Sequence, residues 1–212
     1  MMRNIFIASL SILIFACSNS DQDTTQTNTN ATAVSSVNGL ATASSFNAIS
    51  DDRERALAMF QEIGKVIQHP RCMNCHPRGD RPLQGDLSLP HQPHVVRGDG
   101  GMGAVGMRCT TCHGAENFAN VPGRPVWFLA PLEMAWHGKS LGEICSQIKD
   151  PARNGQRSLD DIAFHVINDE LVAYGWTPPD HLESAPGDQE TFGALVEAWI
   201  GAGAHCPEPS DA

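Results

Sequence analysis

The sequence has few basic residues for its length. Its 212 residues include 14 Lys and Arg against 24 Asp and Glu, which gives a formal net charge of -10 at pH 7. Binding to nucleic acid requires a basic face that neutralises phosphates, so this balance argues against nucleic acid as a partner. A protein partner with a basic patch suits the charge, although net charge does not locate the docking face.

The sequence also lacks an apolar run long enough to cross a bilayer. The apolar stretch at residues 5–15 is far shorter than the roughly 20 residues that a transmembrane helix needs. Arg3 precedes it and Ala16-Cys17 follows it, which is the pattern of an export signal. Residues 14–17, IFAC, resemble a bacterial lipobox, which implies cleavage before Cys17 and a diacylglycerol on its sulfur. An ordinary signal peptide cut nearby is the alternative, and either places the mature protein outside the cytoplasm.

Large apolar residues are scarce from Ser18 to about Ser50, where Ser, Thr, Asn, Gln and Ala predominate. Such a segment buries too little surface to offset its ordering entropy, which predicts a disordered tether. The predicted organisation is a signal peptide, a tether, one domain and a short tail, over residues 1–16, 17–50, 51–207 and 208–212. With its lipid, the protein would be periplasmic and membrane-anchored, and Ser18 favours the outer membrane.

Two pentapeptides share one pattern within the predicted domain. Cys72-Met73-Asn74-Cys75-His76 recurs as Cys109-Thr110-Thr111-Cys112-His113. Two C-x-x-C-H runs in one exported chain indicate two covalently bound c-type haems. The predicted thioether links come from Cys72, Cys75, Cys109 and Cys112, and the predicted proximal iron ligands are His76 and His113. A structural zinc site made of the four cysteines is the alternative, although it needs no His after each pair.

Helix signals in the domain are separated by loops rich in Gly and Pro, and no strand-like alternation stands out. Amphipathic helices are predicted from Asp51 to Gln68, after the capping box at Ser140, after Ser158 and after Asp188. An amphipathic helix before a C-x-x-C-H run and another near the C-terminus resemble a small cytochrome c domain. The predicted fold class is therefore all-α, a loop-rich cytochrome c-like domain. The motifs begin only 37 positions apart (109 minus 72), which is shorter than a one-haem domain of that family, so the resemblance implies that both haems share one core.

The second axial ligand of each iron decides its chemistry. Met raises the potential, a second His leaves it lower, and an open position permits small-molecule binding. Met134, 58 residues after His76 (134 minus 76), is one candidate, with core packing as its alternative. His91 and His94, upstream of the second motif, are candidates for another site. His165, at the edge of the apolar face of the third predicted helix, is a further alternative.

The cysteine count also predicts a disulfide. The chain has seven cysteines, of which four are assigned to haem and one to lipid, leaving Cys145 and Cys206. Two remaining thiols in an oxidising compartment predict a bridge between them. Two free buried thiols are the alternative.

From about Arg71 to Pro207 the chain resembles bacterial dihaem cytochromes labelled as an isoquinoline 1-oxidoreductase subunit. The resemblance lies in RCMNCH at 71–76, RPLQGD at 81–86, VRG at 96–98, GMRC at 106–109, WFLAP at 127–131, MAW at 134–136, KDPARNG at 149–155 and GW at 175–176. It ranks His91 above His94 and places Met134 on a matching position. It also implies a role as electron acceptor for a dehydrogenase of the molybdenum hydroxylase type, since the chain has no spare cysteine set for an iron-sulfur cluster.

These features predict an electron-transfer lipoprotein. It would take single electrons from a periplasmic dehydrogenase and pass them to respiratory cytochromes or similar carriers. The alternative is a haem enzyme of peroxidase-like activity with one open iron, and a third hypothesis is a haem-based sensor.

Overall fold

The computed structural model describes residues 35–209. In that range the α-helices are α1 (Asp52–Ile67), α2 (Pro70–Met73), α3 (Leu141–Lys149), α4 (Leu159–Asn168), α5 (Glu170–Ala173) and α6 (Gln189–Gly201). The strands form antiparallel pairs, β1 (Ser36–Val37) with β2 (Leu40–Ala41), β3 (Leu83–Gln84) with β4 (Leu89–Pro90), and β5 (Gly103–Ala104) with β6 (Met107–Arg108). Between residues 35 and 209, no helix has the length and apolar character needed to span a membrane.

The predicted all-α, cytochrome c-like fold class is wrong. The α-helices and short 3-10 helices together account for 41% of the described residues, and three small antiparallel hairpins interrupt the loops. Each strand is two residues long, so it is too short to show the period-two alternation by which a strand is recognised in a sequence. One signal was available, because Asn38-Gly39 has positive φ at both residues and forms the turn between β1 and β2.

The four predicted amphipathic helices are confirmed as α1, α3, α4 and α6. Asp51 caps α1 by accepting a hydrogen bond from the backbone N–H of Glu54 at 2.8 Å. Reciprocal capping boxes begin the next two, with Ser140 and Glu143 at α3 and Ser158 and Asp161 at α4. These caps satisfy backbone N–H groups that a helix start leaves without partners.

The core forms where α1 packs against α6. The rings of Phe60 and Trp199 lie 4.9 Å apart between centroids, and both side chains are buried. Leu40 is also fully buried, so residues 35–50 are folded onto the domain rather than part of the predicted tether. A buried Leu contributes roughly 1.5–3 kcal/mol, which helps to offset the ordering of a short hairpin. The predicted signal peptide, Cys17 and residues 18–34 lie outside the described residues.

Two local features position the first C-x-x-C-H motif and the C-terminus. Pro70 has no N–H and cannot continue α1, so α2 begins there with His69 as its cap. At the other end of the domain, Cys145 on α3 and Cys206 after α6 are joined in a disulfide, the pair that the cysteine count predicted.

Candidate functional site

The first motif places its histidine against two fixed partners. Cys72 lies on α2, and Cys75 and His76 follow the end of that helix. Nδ1 of His76 donates a hydrogen bond to the carbonyl oxygen of Met134 at 2.7 Å. The His76 ring stacks on Trp136 with 3.5 Å between centroids and 9° between planes. Because a carbonyl oxygen only accepts, the proton is on Nδ1, and the lone pair of Nε2 is free to bind a metal.

The second motif repeats this arrangement in a different part of the chain. Nδ1 of His113 donates to the carbonyl oxygen of Pro122 at 2.7 Å. Its ring stacks on Trp127, with 4.3 Å between centroids and 4° between planes. Burial lowers the pKa of His113, and burial lowers the pKa of His76 to about 4, so both rings are neutral near pH 7. Neutral imidazole is the form that binds iron.

His91 is the histidine that the structure brings to the second motif. Its ring centroid lies 6.0 Å from that of His113, with 57° between the planes. Its Nδ1 donates to the carbonyl oxygen of Pro93 at 3.0 Å, which leaves its Nε2 free as well. Two metal–imidazole bonds of about 2 Å each would put the ring centres about 6 Å apart. His94, the other candidate from the sequence, is exposed.

A largely apolar cavity adjoins the first motif. It leaves about 220 Å³ for the centres of water-sized molecules, whereas one water needs only about 10–15 Å³. Its walls include Cys72, Cys75 and His76. Two buried donors in these walls, Arg71 Nε and Trp136 Nε1, have no hydrogen-bond partner among the described residues.

These features fit a haem. Its apolar macrocycle suits the cavity walls, its vinyl groups suit the two thiols, and its carboxylates would satisfy the unpaired N–H donors of Arg71 and Trp136. An unpaired buried N–H costs roughly 1–3 kcal/mol, so a partner for each is expected in the working protein. The other two guanidinium nitrogens of Arg71 are bonded to Tyr174 Oη at 3.3 Å and to Asp86 Oδ1 at 2.6 Å.

The remaining candidates from the sequence, Met134 and His165, both line the cavity. Met134 is buried, and its main-chain carbonyl is the oxygen bound to Nδ1 of His76. His165 lies on α4, with its Nδ1 3.3 Å from Oδ2 of Asp169. The cavity is therefore lined by one candidate ligand, Met134, whose backbone is bonded to the His76 ring, and by another, His165, on a separate helix.

A continuous set of side chains connects the two motifs. Trp127, which stacks on His113, meets the ring of Tyr174 edge-on with 5.0 Å between centroids. Tyr174 in turn accepts a hydrogen bond from Arg71, the residue before Cys72. The Gly-rich loop before the second motif, residues 98–106, also packs closely against Leu129. Gly101 has φ of +76°, and a Cβ there would lie 2.3 Å from the carbonyl oxygen of Leu129. The two motifs thus belong to one packed unit.

The zinc alternative requires several donor side chains at one point. Across residues 35–209, no three His, Cys, Asp or Glu side chains converge as a metal site, whereas a haem iron needs only one side chain on each face. Burial raises the pKa of Cys72 to about 12 and that of Cys75 to about 11. Both thiols are therefore neutral near pH 7 without a bound group, and a thioether made from either sulfur is also uncharged.

No family model, curated protein or solved structure matches the chain. Sequence reasoning missed three candidate site residues, which are the stacking partners Trp127 and Trp136 and the carboxylate of Asp169. Both tryptophans were noted only as part of a resemblance. Asp169 follows His165 by four positions, which is the spacing that brings two side chains together on a helix.

Proposed function

We propose that the chain is a dihaem c-type cytochrome that carries single electrons. Haem would be attached at Cys72 and Cys75 and again at Cys109 and Cys112. The observation that carries the proposal is that the histidine after each cysteine pair has Nδ1 bound to a backbone carbonyl. This leaves Nε2 free at both motifs, and the same tryptophan stacking supports both rings. Bound haem c would supply a one-electron ferrous–ferric couple at each site.

The protein residues would hold each group and control its surroundings. The two carbonyl–histidine bonds fix the tautomer and orientation of the ligands, which increases imidazole basicity. At the first motif, the N–H groups of Arg71 and Trp136 would bind carboxylates, and the apolar cavity wall would exclude water. Low polarity and few water molecules around an iron are among the factors that set its potential.

The two motifs differ in solvent exposure, and this difference bears on where a redox partner would dock. Cys112 is exposed, whereas Cys72 and Cys75 are partly buried. The exposed second motif is therefore the point at which a redox partner would approach. The resemblance noted above favours a periplasmic dehydrogenase of the molybdenum hydroxylase type as donor and respiratory carriers as acceptors. With a lipid on Cys17, the protein would work at a membrane surface in the periplasm.

Covalent haem is tested by producing the full chain in a host that matures c-type cytochromes. Mass spectrometry and the pyridine haemochrome spectrum of the mature protein should give two haems per chain. Replacing Cys72 and Cys75 by Ser should remove one haem, and replacing Cys109 and Cys112 should remove one haem independently. Cys145→Ser is the matched control, because this cysteine is in the disulfide and its loss should leave two haems. A colourless product containing zinc would overturn the proposal.

Electron transfer is distinguished from the enzyme alternative by carbon monoxide. The 6.0 Å between the ring centroids of His91 and His113 supports His91 as the ligand that would close the second iron, and a closed iron favours a carrier over a peroxidase-like enzyme. The reduced wild-type protein should show no spectral change with carbon monoxide. Rapid binding at one haem would favour catalysis or sensing instead.

A further inference from the structure

The cavity at the first motif offers two side chains of the types that complete haem iron coordination. Apart from His76 and the two cysteines, these are Met134 and His165. Sequence spacing alone favours Met134. In the structure, the two residues differ in whether the segment that carries them is bonded to His76.

Met134 is attached on the His76 side of the site. Its carbonyl oxygen accepts the Nδ1–H of His76 at 2.7 Å, and Nδ1 is the ring nitrogen directed away from a metal bound at Nε2. Two residues later, the Trp136 ring stacks on His76, and the backbone N–H of Trp136 donates to the His76 carbonyl at 3.0 Å. The segment therefore follows the proximal ligand, and the Met134 side chain would have to pass around a macrocycle to reach the opposite face.

His165 has no such tie to His76. It lies on α4, a different element, yet lines the same cavity. Its Nδ1 is 3.3 Å from Oδ2 of Asp169, so Nε2 is the nitrogen left for a metal. The Asp169 carboxylate is itself fixed, because Oδ1 accepts hydrogen bonds from the N–H groups of Leu171 and Val172 at the start of α5, at 2.8 and 3.3 Å.

We propose that His165 is the second axial ligand of the iron at the first motif, with Asp169 as its positioning residue. The assignment rests on the proposed dihaem function and extends it. It makes both sites bis-histidine, His76 with His165 and His113 with His91. A carboxylate on the far nitrogen of an iron-binding histidine raises its basicity and favours the ferric state, so Asp169 would lower the potential of this haem.

The test uses the full haem-loaded chain and compares His165→Ala with Met134→Leu. The wild-type protein should lack the near-infrared band of a Met–iron bond. His165→Ala should convert one of two haems from low-spin to high-spin and increase carbon monoxide binding from none to one per chain. Met134→Leu, which keeps the buried volume, should change neither. His165→Met provides a second variant, which should stay six-coordinate but gain the Met–iron band.

Each outcome bears on a separate part of the proposal. A Met–iron band in the wild type, or an iron opened by Met134→Leu, would assign the ligand to Met134 and overturn the inference while leaving the dihaem function intact. An unchanged spin state in His165→Ala would also overturn the inference and leave the dihaem function intact. Absence of covalent haem from the wild-type protein would overturn both proposals.

Asp169→Asn tests the positioning role. Asn still caps a helix, so α5 should be preserved. The potential of one haem should shift upward while both haems stay low-spin. Glu170→Gln, which removes the neighbouring exposed carboxylate, is the control and should leave the potential nearly unchanged. Equal shifts in the two variants would show a general charge effect and contradict a role through His165.

Discussion

His91 and His113 lie 6.0 Å apart between ring centroids, and the Nδ1 of each is bound to a backbone carbonyl. Both rings are therefore fixed with Nε2 available. The chain supplies this pair from two loops, so the distance reflects tertiary packing rather than neighbouring positions in the sequence. This spacing suits two bonds to one iron, so in the proposed dihaem protein His91 would close the second site.

His91→Ala should open the second iron. With no side chain opposite His113, one of the two haems should become high-spin and bind one carbon monoxide per chain, as measured by visible and electron paramagnetic resonance spectra. His94→Ala is the matched control, because His94 is exposed three residues further along and should leave both irons closed. An iron opened by His94→Ala and unaffected by His91→Ala would reverse the assignment.

Local signals predicted a large part of the molecule. The caps at Asp51, Ser140, Ser158 and Asp188 and the helical periodicity after them located four helices, because these features depend on residues within a few positions of each other. The cysteine count identified the Cys145–Cys206 pair by elimination.

Features set by distant contacts were missed. The hairpins are too short for a period-two pattern, and the burial of Leu40 depends on a domain that its polar neighbours do not reveal. The hydrogen bond from His76 Nδ1 to the Met134 carbonyl is a contact across 58 residues that no local pattern encodes. The contact between His165 and Asp169 could have been predicted from the sequence, since residues four apart are neighbours on a helix.

Trp136→Phe should weaken the haem-loaded protein. Phe keeps the stack on His76 but removes Nε1–H, which is buried without a protein partner and is expected to bind a haem carboxylate. A hydrogen bond to a charged group contributes roughly 1.5–3 kcal/mol, and the free energy of unfolding in guanidinium should fall by about that amount. Trp127→Phe is the control at the second motif, where a smaller loss is expected. Equal losses at the two sites would contradict a special role for the Trp136 N–H.

Removal of the disulfide should lower stability without changing haem content. The bridge joins residues 61 positions apart, and the double variant Cys145→Ala with Cys206→Ala should lose roughly 2–4 kcal/mol in chemical unfolding. A thiol reductant should destabilise the wild-type protein by a similar amount and have no effect on the double variant, because the other described sulfurs are expected to be thioethers. Further destabilisation of the double variant by reductant would contradict that expectation.

Acid should weaken the start of α4 through Asp161. Its carboxylate accepts hydrogen bonds from Ser158 Oγ at 2.7 Å and from the Ser158 backbone N–H at 2.9 Å, and these bonds lower the pKa of Asp161 from its ordinary value of 3.8. Since the folded state favours the ionised form, the stabilisation is complete above the unfolded pKa and is lost as pH falls through the lower folded pKa. Asp161→Asn should therefore be less stable than wild type near neutral pH, with the difference in Tm shrinking below about pH 4. Asp160→Asn is the matched control in the same helical turn, where a smaller difference is expected because a first-turn carboxylate interacts only with the helix dipole. A Tm difference for Asp161→Asn that stayed constant into acid would show that the carboxylate charge does not stabilise the cap.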